Sequence, residues 1–243
     1  MARLHGKQGL VTGAGRGIGR AIALALASEG ADLILTARDT IALKAIAERC
    51  RREFGVRAEP CPCDLTDDNA LDALIQQVEA RFGGLDLLIN NAGTAEHYPI
   101  PEIPIEVWDR TMRLNLRVPF LLTRAFWPAM VRRGGGVIVN IASISGKRAS
   151  AFNAAYAASK FGLIGFSESC LRAGREVNIR VHVVCPGGVA TPLRAKNYPG
   201  EDPSRLLRPE DVAEVVRFLV TLPAHVSIPE VVVEVNPSGL SSC

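Results

Sequence analysis

Short apolar segments alternate with longer segments of helical period along most of this 243-residue chain. The apolar segment GLVT is followed by RGIGRAIALALASEG, and DLILTA is followed by TIALKAIAERCRREFG. The alternation continues through LDLLIN, GVIVNIA, RVHVVCP and EVVVEV. Strands without polar alternation that are separated by helices are typical of a parallel sheet covered on both faces. The sequence therefore predicts an α/β fold, a doubly wound parallel sheet of about seven strands with helices on both faces.

Length and composition fit a single domain over residues 1–243. Hydrophobic residues make up 48% of the chain, which is enough for one large core. There is no internal repeat and no linker rich in Pro, Gly or Ser. One long irregular segment, residues 187–208, joins the penultimate strand to the last helix, and we expect it to be a lid or binding loop.

Charge and hydropathy exclude several classes of protein. The net charge of +3 comes from 28 basic and 25 acidic residues that are scattered along the chain, unlike the concentrated basic face of a nucleic-acid binder. No run of 18 apolar residues and no leader segment is found, so we expect a cytoplasmic protein without a membrane partner.

The cysteines are too few and too dispersed for a disulfide framework, and we expect reduced thiols. They are Cys50, Cys61, Cys63, Cys170, Cys185 and Cys243. The CPC segment, interpreted as a short strand, has no second Cys/His pair at metal-ligand spacing. We therefore expect no metal site.

A glycine-rich segment, TGAGRGIG, ends the first predicted strand and begins the first helix. Gly13, Gly17 and Gly19 would let the backbone approach a diphosphate closely, while the helix N-terminus supplies N–H donors. The spacing differs from G-x-G-x-x-G, and a turn that only permits tight helix packing is the alternative. Its position between the first strand and the first helix favours phosphate binding.

Polar residues and a proline lie at the carboxyl ends of several predicted strands. They include Thr12, Asn90, Ser143 and Pro186. Because ligands of open α/β sheets bind along this edge, we expect these segments to converge on one crevice. Asn115 lies on the long helical segment before GVIV. A turn or cap role for Ser143 and a buried, backbone-satisfied amide for Asn115 are the alternatives.

The segment YAASK places Tyr156 and Lys160 one helical turn apart, so both side chains point the same way. At about 4 Å and an effective dielectric of about 20, the attraction between ammonium and phenolate is about 4 kcal/mol. That corresponds to roughly three pKa units, against which desolvation acts. A phenol with a pKa near neutrality suits general acid–base catalysis, whereas a solvated surface pair is the alternative.

In order and spacing, TGAGRGIG, NNAG, Asn115, Ser143, YAASK and PGGVAT resemble the short-chain dehydrogenase/reductase family over nearly the whole chain. The resemblance implies a Rossmann-type enzyme that transfers a hydride between a nicotinamide cofactor and a carbonyl or alcohol. It implies that Tyr156 is the acid/base and that Lys160 lowers its pKa and binds the nicotinamide ribose. It further implies that Ser143 orients the carbonyl and that Asn115 supports a water relay.

Other positions resemble the cofactor contacts of the family. Asp64 and Leu65 match the adenine contacts, residues 91–93 match the wall beside the adenosine ribose, and Val189 and Thr191 match the carboxamide contacts. The full expected cofactor site comprises Gly13, Arg16, Gly17, Ile18, Gly19, Arg38, Asp64, Leu65, Asn91, Ala92, Gly93, Tyr156, Lys160, Pro186, Gly187, Val189 and Thr191.

Arg16 and Arg38 indicate which nicotinamide cofactor is preferred. Two guanidiniums near the end of the second strand would clamp a ribose 2′-phosphate. Members of the family that prefer NAD usually carry an acid where this chain has Ala37 and Arg38, although Asp39 follows. We predict NADP(H) as the preferred cofactor, with NAD(H) as the alternative.

The substrate is less constrained. Much of the chain resembles bacterial 3-oxoacyl carrier-protein reductases, whereas TLPAHVSIPEVVVEVNP resembles the branch that acts on 3-hydroxy acids and serine-like alcohols. We expect a 3-oxoacyl compound, a 3-hydroxy acid or a related small carbonyl compound. Arg148, Arg194 and Lys196 are candidates for binding a substrate carboxylate, and solvated surface charge is the alternative. The histidines lack ligand spacing and receive no role; they are His5, His97, His182 and His225.

A homo-oligomer, either a tetramer or a dimer, is expected partly from the resemblance. The segment AAYAASKFGLIGFSESCLRAG also combines small residues with Phe161, Leu163, Ile164 and Phe166, more apolar surface than one sheet face needs. Burial of this helix within its own domain is the alternative. Because a fold does not prove a function, the alternative to an enzyme is a nucleotide-binding scaffold or sensor without turnover.

Overall fold

The computed structural model describes residues 3–236. The strands are β1 (Gln8–Thr12), β2 (Asp32–Thr36), β3 (Ala58–Pro60), β4 (Leu87–Asn90), β5 (Gly136–Ile141), β6 (Ile179–Pro186) and β7 (Glu230–Val233). The helices are α1 (Gly17–Ser28), α2 (Thr40–Phe54), α3 (Asp68–Phe82), α4 (Ile105–Met112), α5 (Val118–Arg132), α6 (Ala154–Gly174), α7 (Pro192–Asn197) and α8 (Pro209–Val220). Short 3-10 turns occupy Ile100–Glu102, Ile144–Gly146, Arg175–Val177 and Pro203–Arg205.

All seven strands pair in parallel in one sheet, in the order β3-β2-β1-β4-β5-β6-β7. Successive residues of each strand face opposite sides. Val11 and Leu33 pack into a core with α1, α2 and α8, whereas Leu10 and Ile34 pack into a second core with α3 and α5. Burial on both faces explains the continuous apolar strands, and the predicted doubly wound α/β fold is confirmed.

The strand order reverses between β1 and β4, and in open α/β sheets such a switch point opens a crevice at the carboxyl edge. Thr12, Asn90 and Pro186 are the last residues of β1, β4 and β6, and Ser143 lies two residues after β5. The predicted convergence of these strand ends on one edge of the sheet is confirmed.

Three segments differ from the prediction. The expected long helix before β5 consists of α4, a π-helical turn at Arg113–Arg117 and α5, with Asn115 buried inside the turn. The CPC segment lies beyond β3, which ends at Pro60 because only three residues pair with β2. Two backbone hydrogen bonds continue the ladder through this segment, from the Cys61 N–H to the Leu35 carbonyl at 2.8 Å and from the Cys63 N–H to the Ala37 carbonyl at 3.1 Å.

The segment 187–208 is not wholly irregular, because it contains α7 and a 3-10 turn. Pro192 lacks an N–H and its fixed φ suits the first position of a helix, so this proline starts α7 instead of preventing it. The Thr191 side chain caps the helix by accepting the Arg194 N–H at 3.2 Å. A parallel bridge between Val189 and Leu207 closes the segment at its base.

Within residues 3–236, the five cysteines are free thiols, as predicted, and Cys243 lies outside the described residues. No group of three or more metal-ligating side chains occurs in this part of the chain. None of the helices described is long and apolar enough to cross a bilayer.

Candidate active site

The glycine-rich turn between β1 and α1 brings three parts of the backbone into close contact. Gly13 and Gly17 have φ of 67° and 54°, in the left-handed region that favours glycine. A Cβ at Gly19 would lie 2.2 Å from the Gly13 carbonyl oxygen. The Asn91 amide donates to the Thr12 carbonyl at 2.8 Å and thereby ties this turn to the residues that follow β4.

The N-terminus of α1 faces this turn and has no side-chain cap, because Arg16 occupies the capping position. Its first N–H groups, which include those of Gly17 and Ile18, are therefore available to an anion such as a diphosphate. A Cβ at Gly17 would lie 3.2 Å from the Thr191 methyl group, so the stem of the 187–208 segment adjoins the same turn. Gly17 thus combines a positive φ with a close approach.

Arg16 and Arg38 are exposed on neighbouring loops. A Cβ at Gly15 would contact the Ala37 side chain at 3.4 Å, which brings the turn that carries Arg16 against the end of β2. Asp39 is engaged elsewhere, because it accepts the Ala42 N–H at 3.0 Å and caps α2.

Asp64 and Leu65 follow β3 on the same side of the crevice, and Leu65 is buried. Hydrogen bonds from the Thr66 hydroxyl and N–H, at 2.7 and 3.0 Å, lower the pKa of Asp64. The charge of Arg38 lowers that pKa further, which indicates that Arg38 and Asp64 share one environment.

Ser143, Tyr156 and Lys160 lie together at the end of β5. Lys160 Nζ is 5.7 Å from the centroid of the Tyr156 ring, as expected for residues one turn apart on α6. Ser143 is buried, and its Oγ accepts the Ser145 N–H at 3.1 Å. Ser143 therefore caps the turn that follows β5 and also lies next to Tyr156.

The pKa of Tyr156 is raised, chiefly because the phenol is desolvated by the surrounding protein. A hydrogen-bonding interaction with the Ser143 side chain and the positive charge of Arg194 act in the opposite direction. The depression of this pKa that the YAASK spacing predicts is therefore not found, because burial of the phenol dominates. Tyr156 is a protonated phenol at neutral pH.

Lys160 is 4% exposed, and burial lowers its pKa to about 8. Its ammonium donates to the Ile141 carbonyl at 2.8 Å. A Cβ at Gly93 would lie 3.7 Å from Lys160 Nζ and 3.2 Å from Asn115 Oδ1. The segment after β4 therefore passes directly beside both side chains.

Asn115 is fully buried in the π-helical turn, and its amide is satisfied by protein groups. It accepts the Thr94 N–H and donates to the Thr94 carbonyl, each at 2.8 Å, and it donates to Ser159 Oγ at 3.0 Å. Ser159 in turn donates to the Tyr156 carbonyl at 2.7 Å. The backbone-satisfied amide considered from the sequence is thus observed, and it links the residues after β4 to α6.

Residues 186–191 leave β6 and run along the crevice. The Gly187 N–H donates to the Val233 carbonyl at 2.8 Å, and the Ala190 N–H donates to the Leu207 carbonyl at 2.8 Å. Val189 is buried, whereas Thr191 is only partly buried and borders the glycine-rich turn. Val189 and Thr191, the expected carboxamide contacts, therefore lie on a segment whose backbone is hydrogen-bonded to Val233 and to Leu207.

Beyond this stem, α7 contacts the segment after β4. The Asn197 amide donates to the Ala95 carbonyl at 3.1 Å, and the rings of Tyr198 and His97 meet edge to face at 5.0 Å. Sequence reasoning missed Ser159, Tyr198 and His97 as site residues. No local pattern carries this information for His97 and Tyr198, since tertiary folding alone brings them together.

Comparison with known proteins identifies the family. The model of the short chain dehydrogenase family matches residues 7–202. The 3-oxoacyl-[acyl-carrier-protein] reductase FabG of Aquifex aeolicus is 34% identical over 225 residues, which cover 89% of this chain and 91% of that protein.

Solved structures agree with this match. A metagenomic short-chain oxidoreductase in complex with NADP is 39% identical, with a TM-score of 0.84 over 95% of this chain and 97% of that one. L-sorbose reductase from Gluconobacter frateurii, in complex with NADPH and L-sorbose, is 31% identical, with a TM-score of 0.88 over 96% and 97%. Because the family model spans most of the sequence and such relatives cover nearly all of it, the chain belongs to the short-chain dehydrogenase/reductase family.

Proposed function

We propose that this oxidoreductase uses NADP(H) to interconvert a carbonyl compound and a secondary alcohol, with Tyr156 as the acid/base. The observation that carries the proposal is the grouping of Ser143, Tyr156 and Lys160 at the end of β5, beside the cofactor-type turn of β1 and α1. A protonated, desolvated phenol next to a serine hydroxyl is suited to give a proton to a developing alkoxide.

The residues present fit a dinucleotide. The glycine-rich turn lets the backbone approach a diphosphate closely, and the uncapped α1 N-terminus offers N–H donors to it. In the proposal, Arg16 and Arg38 bind the 2′-phosphate, Asp64 and Leu65 contact the adenine, and residues 91–93 form the ribose wall. Pro186, Gly187, Val189 and Thr191 would hold the carboxamide. Similarity to structures in complex with NADP and NADPH supports this choice over NAD(H).

When bound, the nicotinamide supplies or accepts the hydride. In the reductive direction, Tyr156 donates its phenolic proton to the carbonyl oxygen of the substrate. The Ser143 hydroxyl donates a hydrogen bond to the same oxygen and stabilises the charge that develops there. Lys160 holds the nicotinamide ribose and its charge stabilises the phenolate that Tyr156 leaves, while Asn115 positions Thr94 and Ser159 and supports a water relay.

We infer the substrate class from the relatives. Their names denote a 3-oxoacyl carrier-protein reductase and an L-sorbose reductase, and both substrates contain a ketone. A 3-oxoacyl compound, a 3-hydroxy acid or a related small carbonyl compound is therefore the proposed substrate. We further propose a single domain over residues 1–243 and a cytoplasmic location, as expected from the sequence.

We also propose a homo-oligomer, a tetramer or a dimer, that forms through α4, α5 and α6. A groove of about 640 Å³ between them is lined by Leu116, Phe120 and Phe166, and Phe161 is 47% exposed nearby. Leu163 is buried and Ile164 packs against it, so part of the surface expected from the sequence belongs to the protein's own core. Light scattering that shows a monomer at micromolar concentration would contradict this proposal.

One experiment tests the function. NADPH fluorescence titration measures cofactor binding, and a turnover screen over 3-oxoacyl thioesters, 3-oxo acids, diketones and ketoses measures NADPH consumption. We expect both binding and consumption. Binding of NADPH without consumption across all four classes would favour the scaffold without turnover.

A further inference from the structure

Arg194 of α7 presents its guanidinium to a carboxylate in a planar, two-pronged geometry. Its Nε and Nη2 donate to the two carboxylate oxygens of Glu201, each at 2.6 Å. The guanidinium also stacks on Tyr198, with Cζ 3.6 Å from the ring centroid. Two parallel hydrogen bonds and stacking on an aromatic ring are the geometry by which arginine recognises carboxylates.

The same guanidinium acts on the catalytic crevice. Burial raises the pKa of Tyr156, and the charge of Arg194 is among the influences that lower it. Burial lowers the pKa of His97, and the charge of Arg194 lowers it further. A Cβ at Gly188 would lie 3.6 Å from Arg194 Cζ, so the guanidinium also rests against the backbone that leaves β6.

The two other cations considered from the sequence lie elsewhere. Arg148 pairs with Glu234 after β7, and its side chain is 68% exposed. Lys196 is exposed on α7. Neither is among the charges that shift the pKa of Tyr156, whereas Arg194 is. Of the three candidates, Arg194 is the one whose guanidinium lies against Gly188 after β6 and on the Tyr198 ring, beside the crevice.

The pair of Arg194 and Glu201 is not what holds α7 in place. Backbone bonds from the Ala190 N–H to the Leu207 carbonyl and from the Leu207 N–H to the Gly188 carbonyl close the segment at its base. Asn197 and Tyr198 attach α7 to the segment after β4. The pair joins two residues of one segment, so it is free to open while these attachments remain.

We propose that Arg194 is the receptor for a carboxylate of the substrate and that Glu201 occupies this receptor when no anionic substrate is bound. The inference rests on the proposed function. It narrows the substrate class to small oxo or hydroxy acids, in which a free carboxylate lies near the reacting carbon. Thioesters of the same acids lack that carboxylate.

The exchange of one carboxylate for another is energetically accessible. The side chains of Arg194 and Glu201 are 29% and 31% exposed, and partly exposed pairs of this kind contribute little net stability. A substrate carboxylate restores both charged hydrogen bonds to Arg194, while the displaced Glu201 is hydrated. Removing the charge of Arg194 should therefore weaken the binding of an anionic substrate, and removing the charge of Glu201 should strengthen it. If the pair were only structural, removing either charge would have the same effect.

The test compares 3-oxobutanoate with its neutral ethyl ester in NADPH-dependent reduction. The variants are Arg194→Met, Glu201→Gln and, as a control on the same helix, Lys196→Met. Arg194→Met should lower kcat/KM for the acid by about ten- to a hundredfold more than for the ester, the loss expected for charged hydrogen bonds, because any effect of the lost charge on Tyr156 is common to both substrates. Glu201→Gln should lower KM for the acid only. Lys196→Met should change neither.

Parallel losses on acid and ester in both variants would show that the pair is structural and would overturn the inference. An unchanged kcat/KM for the acid in Arg194→Met would also overturn it. If the wild type reduces the ester but not the acid, the inference fails while the proposed function stands.

A binding measurement tests the receptor without turnover. Calorimetry with the NADP-loaded protein compares 3-hydroxybutanoate with 3-hydroxybutanamide. We expect the acid to bind more tightly than the amide, to bind more weakly to Arg194→Met and to bind more tightly to Glu201→Gln. Equal affinities of acid and amide for the wild type would overturn the inference even if the protein proved to be a scaffold without turnover.

Discussion

Lys160 Nζ donates a hydrogen bond to the Ile141 carbonyl, 2.8 Å away, in a buried site at the end of β5. Burial lowers the pKa of Lys160 from 10.5 to about 8. An unfolded chain keeps this proton up to about pH 10.5, whereas the folded chain releases it above about pH 8. The unfolded state therefore binds more protons in this window, and this site's contribution to stability rises with pH.

We accordingly predict that Lys160→Met removes a pH-dependent part of the free energy of unfolding. In the wild type this part increases between about pH 8 and 10.5, by at most about 3 to 4 kcal/mol at 1.36 kcal/mol per pKa unit. Urea denaturation at several pH values measures it. The exposed Lys44 supplies the control, because Lys44→Met should keep the wild-type slope. The same slope in Lys160→Met and the wild type would contradict the prediction.

Tyr156→Phe should abolish most turnover and leave NADPH affinity nearly unchanged. The phenolic proton is needed in the transfer step, and general acid catalysis contributes typically about a hundred- to ten-thousandfold. Steady-state kinetics measure kcat, while fluorescence titration confirms that the cofactor site is intact. Full activity in the Phe variant would refute the assignment of Tyr156.

Arg16→Ala combined with Arg38→Ala should erase the preference for NADPH over NADH. Charged hydrogen bonds contribute roughly 1.5 to 3 kcal/mol each. The ratio of the kcat/KM values for NADPH and NADH should therefore fall by a factor that corresponds to a few kcal/mol. Arg20→Ala, an exposed arginine one turn into α1, is the control and should keep the wild-type ratio. Equal or better use of NADH by the unmodified protein would rule the prediction out.

The segment that carries α7 should become better protected from hydrogen exchange when the crevice is occupied. Thr191 at its stem adjoins the glycine-rich turn, so a bound cofactor would restrain one end while α8 anchors the other. Closure would then exclude water around Tyr156, as active-site lids commonly do. The measurement is hydrogen exchange with and without NADPH and a substrate analogue.

The C-terminal turn of α2, residues 50–54, serves as the internal control for this experiment because it lies beside Asp32 at the amino end of β2, and its protection should stay constant. Unchanged protection across residues 190–206 on saturation would mean that the segment is a static surface element.

Sequence patterns predicted those features that depend on local chemistry. The apolar segments predicted the positions of the strands. The helical period alone predicted that Tyr156 and Lys160 lie on one face of α6. The polar strand ends met at one edge because parallel strands share direction. These features needed no knowledge of long-range packing.

The remaining features depend on burial and tertiary contact. The pKa of Tyr156 follows from how completely protein surrounds its phenol, which spacing along a helix does not encode. The contact between His97 and Tyr198 exists only because α7 lies over the segment after β4. Pro192 lies in a segment that the sequence predicts to be irregular, yet its ring starts a helix because the capping Thr191 precedes it.

The π-helical turn around Asn115 sets the angular relation between the two halves of the long helical region. A wide turn of this kind inserts one residue into an α-helix, and each residue turns an α-helix by about 100°. Deleting one residue there would restore regular winding and rotate all of α4 relative to α5. Val107 and Thr111, now buried, would swing away from their neighbours as a unit. The turn thus determines which face of α4 packs on α6 while α5 packs on the sheet.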